Sequence, residues 1–134
     1  MPSFSDKSKK LLSLAHPDLQ AIFNEVIKSF DCCVLCSYRG QVEQDLAWAA
    51  GNSKLKFPQS KHNKTPSMAV DVAPYPIDWK DTHRFDELAI VAFKCAEKLK
   101  AEGKITYTLR WGGDWNMDGK TNEQFVDRPH FELI

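Results

Sequence analysis

The sequence predicts an α+β fold: a single compact domain in which helices flank a central antiparallel sheet. Helical and strand patterns mix along the chain without the strict alternation that a parallel sheet requires. A length of 134 residues suits one domain with its own core, and neither a repeat nor a linker divides residues 1–134. We therefore expect one domain that spans the whole chain.

The first half of the chain predicts two helices around one strand. From Pro17, apolar residues recur at helical spacing as far as Phe30, and Asp31 ends the pattern. The segment C-C-V-L-C that follows has the character of a short buried strand. The segment Q-V-E-Q-D-L-A-W-A-A then predicts a second helix, which Gly51 stops because glycine readily adopts a positive φ.

The second half predicts three strands and one long helix after an irregular loop. Residues 52–68 are rich in Asn, Ser, Lys and Pro and predict the loop. The segment A-V-D-V-A alternates as a strand does, with Asp71 between two alanines on one face. Residues 82–102 carry a helical apolar stripe that Gly103 closes. The segments I-T-Y-T-L-R-W and H-F-E-L-I predict the last two strands.

Charge and hydropathy exclude several kinds of partner. The 18 basic residues equal the 18 acidic residues in number, so no basic field indicates a nucleic-acid partner. No stretch reaches the roughly 18 apolar residues of a membrane span, which predicts no membrane insertion. The N-terminus also lacks the apolar core of a signal peptide, so we expect a protein that is cytoplasmic in the producing cell, and a monomer.

Three cysteines lie close together, at positions 32, 33 and 36. Cys33 and Cys36 have the C-x-x-C spacing of a zinc knuckle or a redox pair. A second C-x-x-C that would complete a four-thiolate site is absent from the sequence, and no predicted helix begins directly after Cys33. The strand character therefore favours a packing role for Cys32, Cys33 and Cys36, with metal or redox chemistry as the alternative.

Two polar patterns carry the candidate chemistry. Asp71 follows His62 by nine positions, and Asp127 precedes His130 by three in F-V-D-R-P-H-F-E-L. On the last strand His130 points away from its apolar neighbours, while Asp71 has space above the sheet. Two histidines and one carboxylate match the three ligands of a catalytic zinc site, and a further carboxylate could accept a proton from water. Either pattern alone also fits solvated polar residues.

Four motifs resemble those of the M15 metallopeptidases. They are S-K-H at 60–62, A-V-D at 69–71, W-G-G-D-W at 111–115 and D-R-P-H-F at 127–131. With S-Y-R at 37–39 they cover most of the chain in the family's order. The resemblance is greatest to the L-alanyl-D-glutamate peptidases of bacteriophage endolysins, which are relatives of the D-Ala-D-Ala carboxypeptidases and dipeptidases. It implies the Hedgehog/D-Ala-D-Ala peptidase-like fold.

The resemblance also implies a role for each motif residue. His62, Asp71 and His130 would be the ligands of one catalytic Zn²⁺ ion. Asp127 would be the general base and later the proton donor, and Arg39 would stabilise the oxyanion that develops at the substrate carbonyl. The separation of His62 and Asp71 is wider than the family's usual spacing, and a bulge in the loop between them would accommodate the extra residues.

Further residues have weaker implied roles. Ser60 would hydrogen-bond to the substrate or support a metal ligand. Trp111 and Trp115 would form walls of the cleft, although tryptophans at such positions are as often core residues. His16 and His83 are poorer candidates for zinc ligands, because each lies near the predicted start of a helix.

A second metal is suggested by the acidic loop that follows W-G-G. Asp114, Asn116 and Asp118, followed by glycine, resemble the first half of an EF-hand calcium loop. Phe125 occupies the place of the bidentate glutamate, and Glu123 lies two positions too early. The resemblance implies calcium as a regulator, and the alternative is an acidic turn in which glycine supplies a positive φ.

The function that the resemblance implies is hydrolysis of the L-Ala–D-Glu bond in peptidoglycan stem peptides by a zinc peptidase. Such an enzyme fits a phage endolysin that waits in the cytoplasm until a separate pore-forming protein lets it reach the cell wall. Two alternatives stay open: a D-Ala-D-Ala carboxypeptidase or dipeptidase of the same fold, and a non-catalytic wall-binding zinc module. Asp127 argues against the module, since a structural zinc site needs no proton acceptor.

Overall fold

The computed structural model describes residues 2–119 and 126–134. Its helices and strands follow one another along this part of the chain in an α+β order. The elements are α1 (Asp6–Leu12), α2 (Pro17–Val26), β1 (Cys32–Cys36), α3 (Gln41–Ala49), a short 3₁₀ helix (Lys61–Asn63), β2 (Ala69–Pro74), α4 (Thr82–Ala101), β3 (Leu109–Trp111) and β4 (His130–Leu133).

Within the described residues the strands form one four-stranded sheet in the order β1-β2-β4-β3. Each neighbouring pair is antiparallel, so the predicted α+β fold with a central antiparallel sheet is confirmed. The last strand, β4, lies between β2 and β3, which brings the C-terminal residues to the centre of the sheet.

The sheet has one apolar face and one polar face, because successive strand residues point to opposite sides. Helices α2 and α4 pack on each other, and α4 contacts β2 and β3. The fully buried side chains that the two central strands turn towards this core are Val70, Val72, Phe131 and Leu133. Burying each such side chain stabilises the fold by about 1.5–3 kcal/mol. The other face is left for Asp71, His130 and Glu132.

Glycine ends two of the helices, as the sequence predicts. Gly51 follows α3 with φ +78°, and Gly103 follows α4 with φ +74°. A side chain at either position would be strained, because only glycine adopts this backbone conformation without a steric cost. The predicted loop over 52–68 is also present, and Lys61–Asn63 form a 3₁₀ turn within it.

Two boundaries differ from the prediction. Helix α2 begins at Pro17 but ends at Val26, and the residues up to Phe30 form tighter turns, with Ser29 N donating to Val26 O at 3.1 Å. The predicted strand 105–111 is reduced to β3. Its first part instead donates two backbone hydrogen bonds to the Asp18 carboxylate, from residues 106 and 107 at 2.9 and 3.0 Å.

The N-terminal helix α1 was not expected from the sequence. Ser5 caps it by accepting a hydrogen bond from Ser8 N at 3.2 Å. Ser8 Oγ accepts a hydrogen bond from Val34 N at 3.0 Å, which joins α1 to the first strand. In the described part of the chain, no helix combines the length and the apolarity that a membrane crossing requires.

Candidate active site

The two central strands place a carboxylate and an imidazole side by side on the polar face. Strand β2 pairs with β4 so that Asp71 is directly opposite His130. Side chains opposed in this way have Cβ atoms about 5 Å apart, close enough for direct contact. His130 Nδ1 lies 3.3 Å from Asp71 Oδ1. Ala69 and Ala73, the neighbours of Asp71 on this face of β2, are small and leave room for the side chains that meet its carboxylate.

His62 reaches the same point from the 3₁₀ helix. Ser60 caps this helix, because its Oγ accepts a hydrogen bond from His62 N at 3.2 Å and its own N–H donates to Asn63 Oδ1 at 3.0 Å. The backbone N–H of Arg39 donates to His62 O at 2.8 Å, which ties the turn to the segment after β1. His62 is only 3% exposed, and its Nε2 lies 3.3 Å from Asp71 Oδ1.

These three side chains form a nearly equilateral triangle of ligand atoms. His62 Nε2 lies 3.2 Å from His130 Nδ1, and each nitrogen lies 3.3 Å from Asp71 Oδ1. Neighbouring ligand atoms around a tetrahedral ion with bonds of about 2.0–2.1 Å are separated by roughly 3.3 Å. The donor set and its spacing therefore fit a metal ion such as Zn²⁺.

Each histidine of the triangle has a hydrogen bond at its second ring nitrogen. These bonds direct the first nitrogens, His62 Nε2 and His130 Nδ1, towards Asp71. His62 Nδ1 lies 2.7 Å from the carbonyl oxygen of Ser37, and His130 Nε2 lies 2.7 Å from Glu132 Oε1. Both partners are acceptors, so each of these nitrogens donates its N–H to them. In the neutral rings, the lone pairs of His62 Nε2 and His130 Nδ1 therefore point to the centre of the triangle.

The charge balance of the cluster favours a cation at its centre. Burial of the His62 ring lowers its pKa, but the hydrogen bond to Asp71, with a contribution from Cys36, outweighs burial and raises the pKa to about 10. Burial raises the pKa of Asp71, and the hydrogen bonds from His130 and His62 reverse this effect and hold it below its ordinary value. Protons and a metal cation would compete for the same position.

Asp127 lies beside the triangle and is half-buried. Its carboxylate belongs to a group with Asp71 and His130 in which the ligand atoms lie within 4.8 Å of one another. Burial and the Asp71 charge raise the pKa of Asp127, while the nearby charges of His130, His62 and Arg39 lower it in part. A carboxylate with a raised pKa is the kind that accepts and returns a proton near neutral pH.

Arg39 brings a guanidinium to the same cleft. Its Nη2 lies 3.9 Å from Asp71 Oδ2, and its Nη1 donates to Gln44 Oε1 at 3.0 Å. Both Arg39 and Asp127 line a cleft of about 840 Å³, together with the three residues of the triangle. This volume is sufficient for a peptide of a few residues.

Of the three predicted substrate-binding residues, two border the cleft and one lies in the core. Trp115 lines the cleft, and its ring centroid lies 5.2 Å from that of His130. Ser60 also borders the cleft but is 5% exposed and serves as the cap of the 3₁₀ helix. Trp111 is 6% exposed, belongs to the core with Phe131 and donates its indole N–H to the backbone, so the structure does not bring it to the cleft.

The predicted calcium loop is described only in its first half. Asp114 accepts backbone hydrogen bonds from Asp118 at 3.2 Å and from Gly119 at 2.7 Å, and Asn116 also accepts from Asp118. These bonds are those of an acidic turn, and Gly119 has φ +82°. Phe125 and Glu123 lie outside the described residues, so calcium binding stays a prediction.

Other histidines and cysteines occupy the places that the sequence indicates. His16 caps α2, and His83 lies at the start of α4, where it is 83% exposed in its side chain and pairs with Glu87. The described cysteines are free thiols, and burial raises the pKa of Cys32 to about 12, as expected of a packing residue. Cys36, in contrast, borders the site, with its Sγ 3.8 Å from His62 Nδ1.

Sequence reasoning missed two further polar residues around the site. Glu132 lies two residues after His130 on β4, so strand alternation puts both on one face, and this shared face is the signal in the sequence for its contact with the ring. Arg110, which follows Leu109 in β3, donates to Glu132 Oε2 from Nη2 at 2.6 Å and from Nε at 3.2 Å. No pattern in the sequence indicates that these two side chains meet.

The fold and the site together define the class of the protein. It has an open cleft in which side chains that could hold a metal ion lie beside a carboxylate and a guanidinium, an arrangement typical of an enzyme. The family model described as phage L-alanyl-D-glutamate peptidase matches residues 2–134. The chain therefore belongs to the phage L-alanyl-D-glutamate peptidase family, and the resemblance seen in its motifs is confirmed.

A solved structure supports the fold independently. The crystal structure of the Serratia marcescens L-Ala D-Glu endopeptidase ChiX superposes with a TM-score of 0.75 at 22% sequence identity. The alignment covers 98% of this chain and 90% of the Serratia chain. Among curated proteins, no sequence matches the chain.

Proposed function

We propose that this peptidoglycan endopeptidase is a zinc enzyme that hydrolyses the amide between L-Ala and D-Glu in the stem peptide. Membership of the phage L-alanyl-D-glutamate peptidase family supports the choice of bond. The observation that carries the metal is the triangle of His62 Nε2, His130 Nδ1 and Asp71 Oδ1, with edges of 3.2–3.3 Å.

His62, Asp71 and His130 would hold the ion, and three protein ligands are the number typical of catalytic rather than structural zinc. When bound, Zn²⁺ supplies Lewis-acid chemistry that makes water acidic and polarises a carbonyl group. The hydrogen bonds from His62 to Ser37 O and from His130 to Glu132 keep the ligand nitrogens aimed before the ion arrives.

Asp127 transfers the proton in this proposal. It accepts a proton from the attacking water while the water oxygen forms a bond to the carbonyl carbon of L-Ala. It then returns the proton to the amine of D-Glu as the carbon–nitrogen bond breaks. Its raised pKa and its position in the group with Asp71 and His130 support this role.

Arg39 stabilises the negative charge that develops on the carbonyl oxygen. Its guanidinium lines the cleft and is permanently charged, and a fixed cation at such a point lowers the energy of the transition state more than that of the substrate. Trp115 and Ser60, which border the same cleft, are the proposed contacts for the rest of the stem peptide.

We also propose a regulator and a biological setting for the enzyme. Calcium would bind the loop of Asp114, Asn116 and Asp118 as a regulator, and calorimetric titration with Ca²⁺ tests this directly. The enzyme would act as a monomeric phage endolysin that reaches the cell wall from the cytoplasm through a separate pore-forming protein.

The decisive experiment is mass spectrometry of purified peptidoglycan after digestion, with and without a zinc chelator. New free amino termini on D-Glu, lost on chelation and restored by Zn²⁺, are the expected result. Release of D-Ala would assign the enzyme to the D-Ala-D-Ala peptidases instead. Intact peptidoglycan in the presence of stoichiometric zinc would favour a wall-binding module, and chelator-resistant cleavage would contradict the metal.

A further inference from the structure

Helix α3 buries a polar side chain and exposes its apolar ones. Gln44 is fully buried at 0% exposure, whereas Val42 is 70% and Leu46 is 65% exposed. A hydrophobic core normally takes the apolar side of a helix, so the inward direction of Gln44 needs a reason other than packing. Its hydrogen bonds supply that reason.

Gln44 uses every hydrogen-bonding position of its amide. Its Oε1 accepts from Arg39 Nη1 at 3.0 Å and from Asn63 Nδ2 at 3.3 Å. Its Nε2 donates to Ser53 Oγ at 2.8 Å and to Leu55 O at 2.6 Å. Two acceptor lone pairs and two N–H groups are the full capacity of a glutamine side chain. A buried amide that is satisfied in this way has a single orientation.

The Gln44 amide sets the orientation of the Arg39 guanidinium. In the described part of the chain, its other guanidinium contacts are long: Nη2 lies 3.9 Å from both Cys36 Sγ and Asp71 Oδ2. Asn63 Nδ2 also donates to Arg39 O at 2.8 Å, so the second partner of Gln44 Oε1 fixes the backbone of the same arginine. Gln44 thus fixes both ends of Arg39, and through Asn63 it also reaches the turn that carries His62.

The side chain at position 44 is a neutral amide, which does not neutralise the charge of Arg39. A carboxylate at this position would form an ion pair with Arg39 and would compete with the oxyanion for its charge. The amide oxygen holds the guanidinium by a hydrogen bond and leaves its positive charge available to the cleft. We propose that Gln44 is a positioning residue that aims the Arg39 guanidinium at the substrate carbonyl, an inference that rests on the proposed role of Arg39 in peptide hydrolysis.

A double-mutant cycle tests this proposal. Gln44→Met has a similar length but cannot donate and accepts only weakly. We expect it to lower kcat by about 10- to 100-fold, the effect of a displaced catalytic group. In an Arg39→Ala background the same change should lower kcat by less than about twofold, because its target is gone. Equal losses in the two backgrounds would mean a merely structural role and would overturn the proposal.

Two further variants complete the cycle. Gln41→Met makes the same substitution at an exposed position of the same helix, and its kcat is expected to match the wild type. Gln44→Glu keeps the shape of the side chain, and it replaces Gln44→Met in the cycle should the latter fail to fold. Its expected loss of kcat must likewise vanish when Arg39 is alanine, and a loss that persists would overturn the proposal.

An NMR measurement separates this inference from the proposed function. In ¹⁵N-labelled protein, the guanidinium resonances of Arg39, assigned by their absence in Arg39→Ala, should show slow rotation in the wild type and fast rotation in Gln44→Met. Unchanged rotation would overturn the positioning role whatever the activity. Full activity of Arg39→Ala would instead contradict the proposed mechanism, while the NMR result would still report on the contact between Gln44 and Arg39.

Discussion

Replacing Gly112 by alanine should disable the site without removing any polar group. Gly112 follows β3, and two backbone hydrogen bonds join it to residues 127–130, which carry the proposed general base and one proposed metal ligand. Its N–H donates to His130 O at 2.7 Å, and its carbonyl accepts from Asp127 N at 2.8 Å. A Cβ added here would overlap the carbonyl oxygen of Asp127 and would lie 3.0 Å from the Cβ of His130. Neither neighbour is the end of a flexible side chain that could turn away.

The size of the effect follows from this overlap. To restore ordinary contact, the backbone from Asp127 to His130 has to move by about 1 Å away from Gly112. A displacement of this size in a catalytic group costs on the order of 100-fold in rate. Overpacking costs a further ~1–3 kcal/mol of stability. We therefore expect kcat/KM for Gly112→Ala to fall by about 100-fold or more, with weakened zinc binding because His130 moves as well.

The assay is cleavage of a soluble muropeptide, with zinc content and thermal unfolding measured on the same preparations. Gly103→Ala is the matched control, because it introduces alanine at φ +74°, at the end of α4, with no atom within 4 Å. It should cost about 1 kcal/mol of stability and leave kcat/KM unchanged. A Gly112→Ala enzyme with activity within threefold of the wild type and full zinc content would refute the reasoning.

Three further predictions concern the charged groups of the site. Asp127→Asn should lower kcat by about 10²- to 10⁴-fold with zinc content unchanged, and an active variant would remove Asp127 from the mechanism. Glu132→Gln should weaken zinc binding by about 10- to 100-fold in competition with a chromophoric chelator, and equal affinity would contradict the role of its contact with His130. Zinc affinity should fall with falling pH. Burial lowers the pKa of His62, but Asp71 raises it to about 10, so below that pH the ring must release a proton when the ion binds. Calorimetry near neutral pH in two buffers that differ in ionisation enthalpy should detect that proton, and its absence would refute the argument.

Strand periodicity made half of the candidate site predictable from the sequence. A period of two sends Asp71 and His130 to the face opposite Val70 and Phe131, and the structure places them there in direct register. His62 could not be placed in this way, because it lies in a loop. Its position depends on a hydrogen bond to the Ser37 carbonyl, 25 residues earlier in the chain.

The predicted limits of one strand were wrong because a distant carboxylate accepts its backbone N–H groups. The alternation of 105–111 predicts a strand over the whole segment, but Asp18 accepts the N–H groups of residues 106 and 107 and ends the pairing early. Asp18 also lies in the first turn of α2, where its charge suits the helix dipole, so its position in the chain already has a local explanation. Contacts of this kind depend on the folded arrangement and leave no periodic signal.

The row from Arg110 through Glu132 to His130 orients the imidazole ring and balances the charge of the buried carboxylate next to it. Glu132 is 5% exposed, and burial raises its pKa, but the hydrogen bonds from His130 and Arg110 lower it to about 2. An isolated carboxylate beside His130 would favour a second proton on the ring, which would block Nδ1. Arg110 Nη2, 2.6 Å from Glu132 Oε2, balances that charge. Burial lowers the pKa of His130, but its hydrogen bonds to Asp71 and Glu132 raise it above the ordinary value. A cation that binds at Nδ1 would therefore displace a proton there, while Glu132 keeps the Nε2–H and the orientation of the ring.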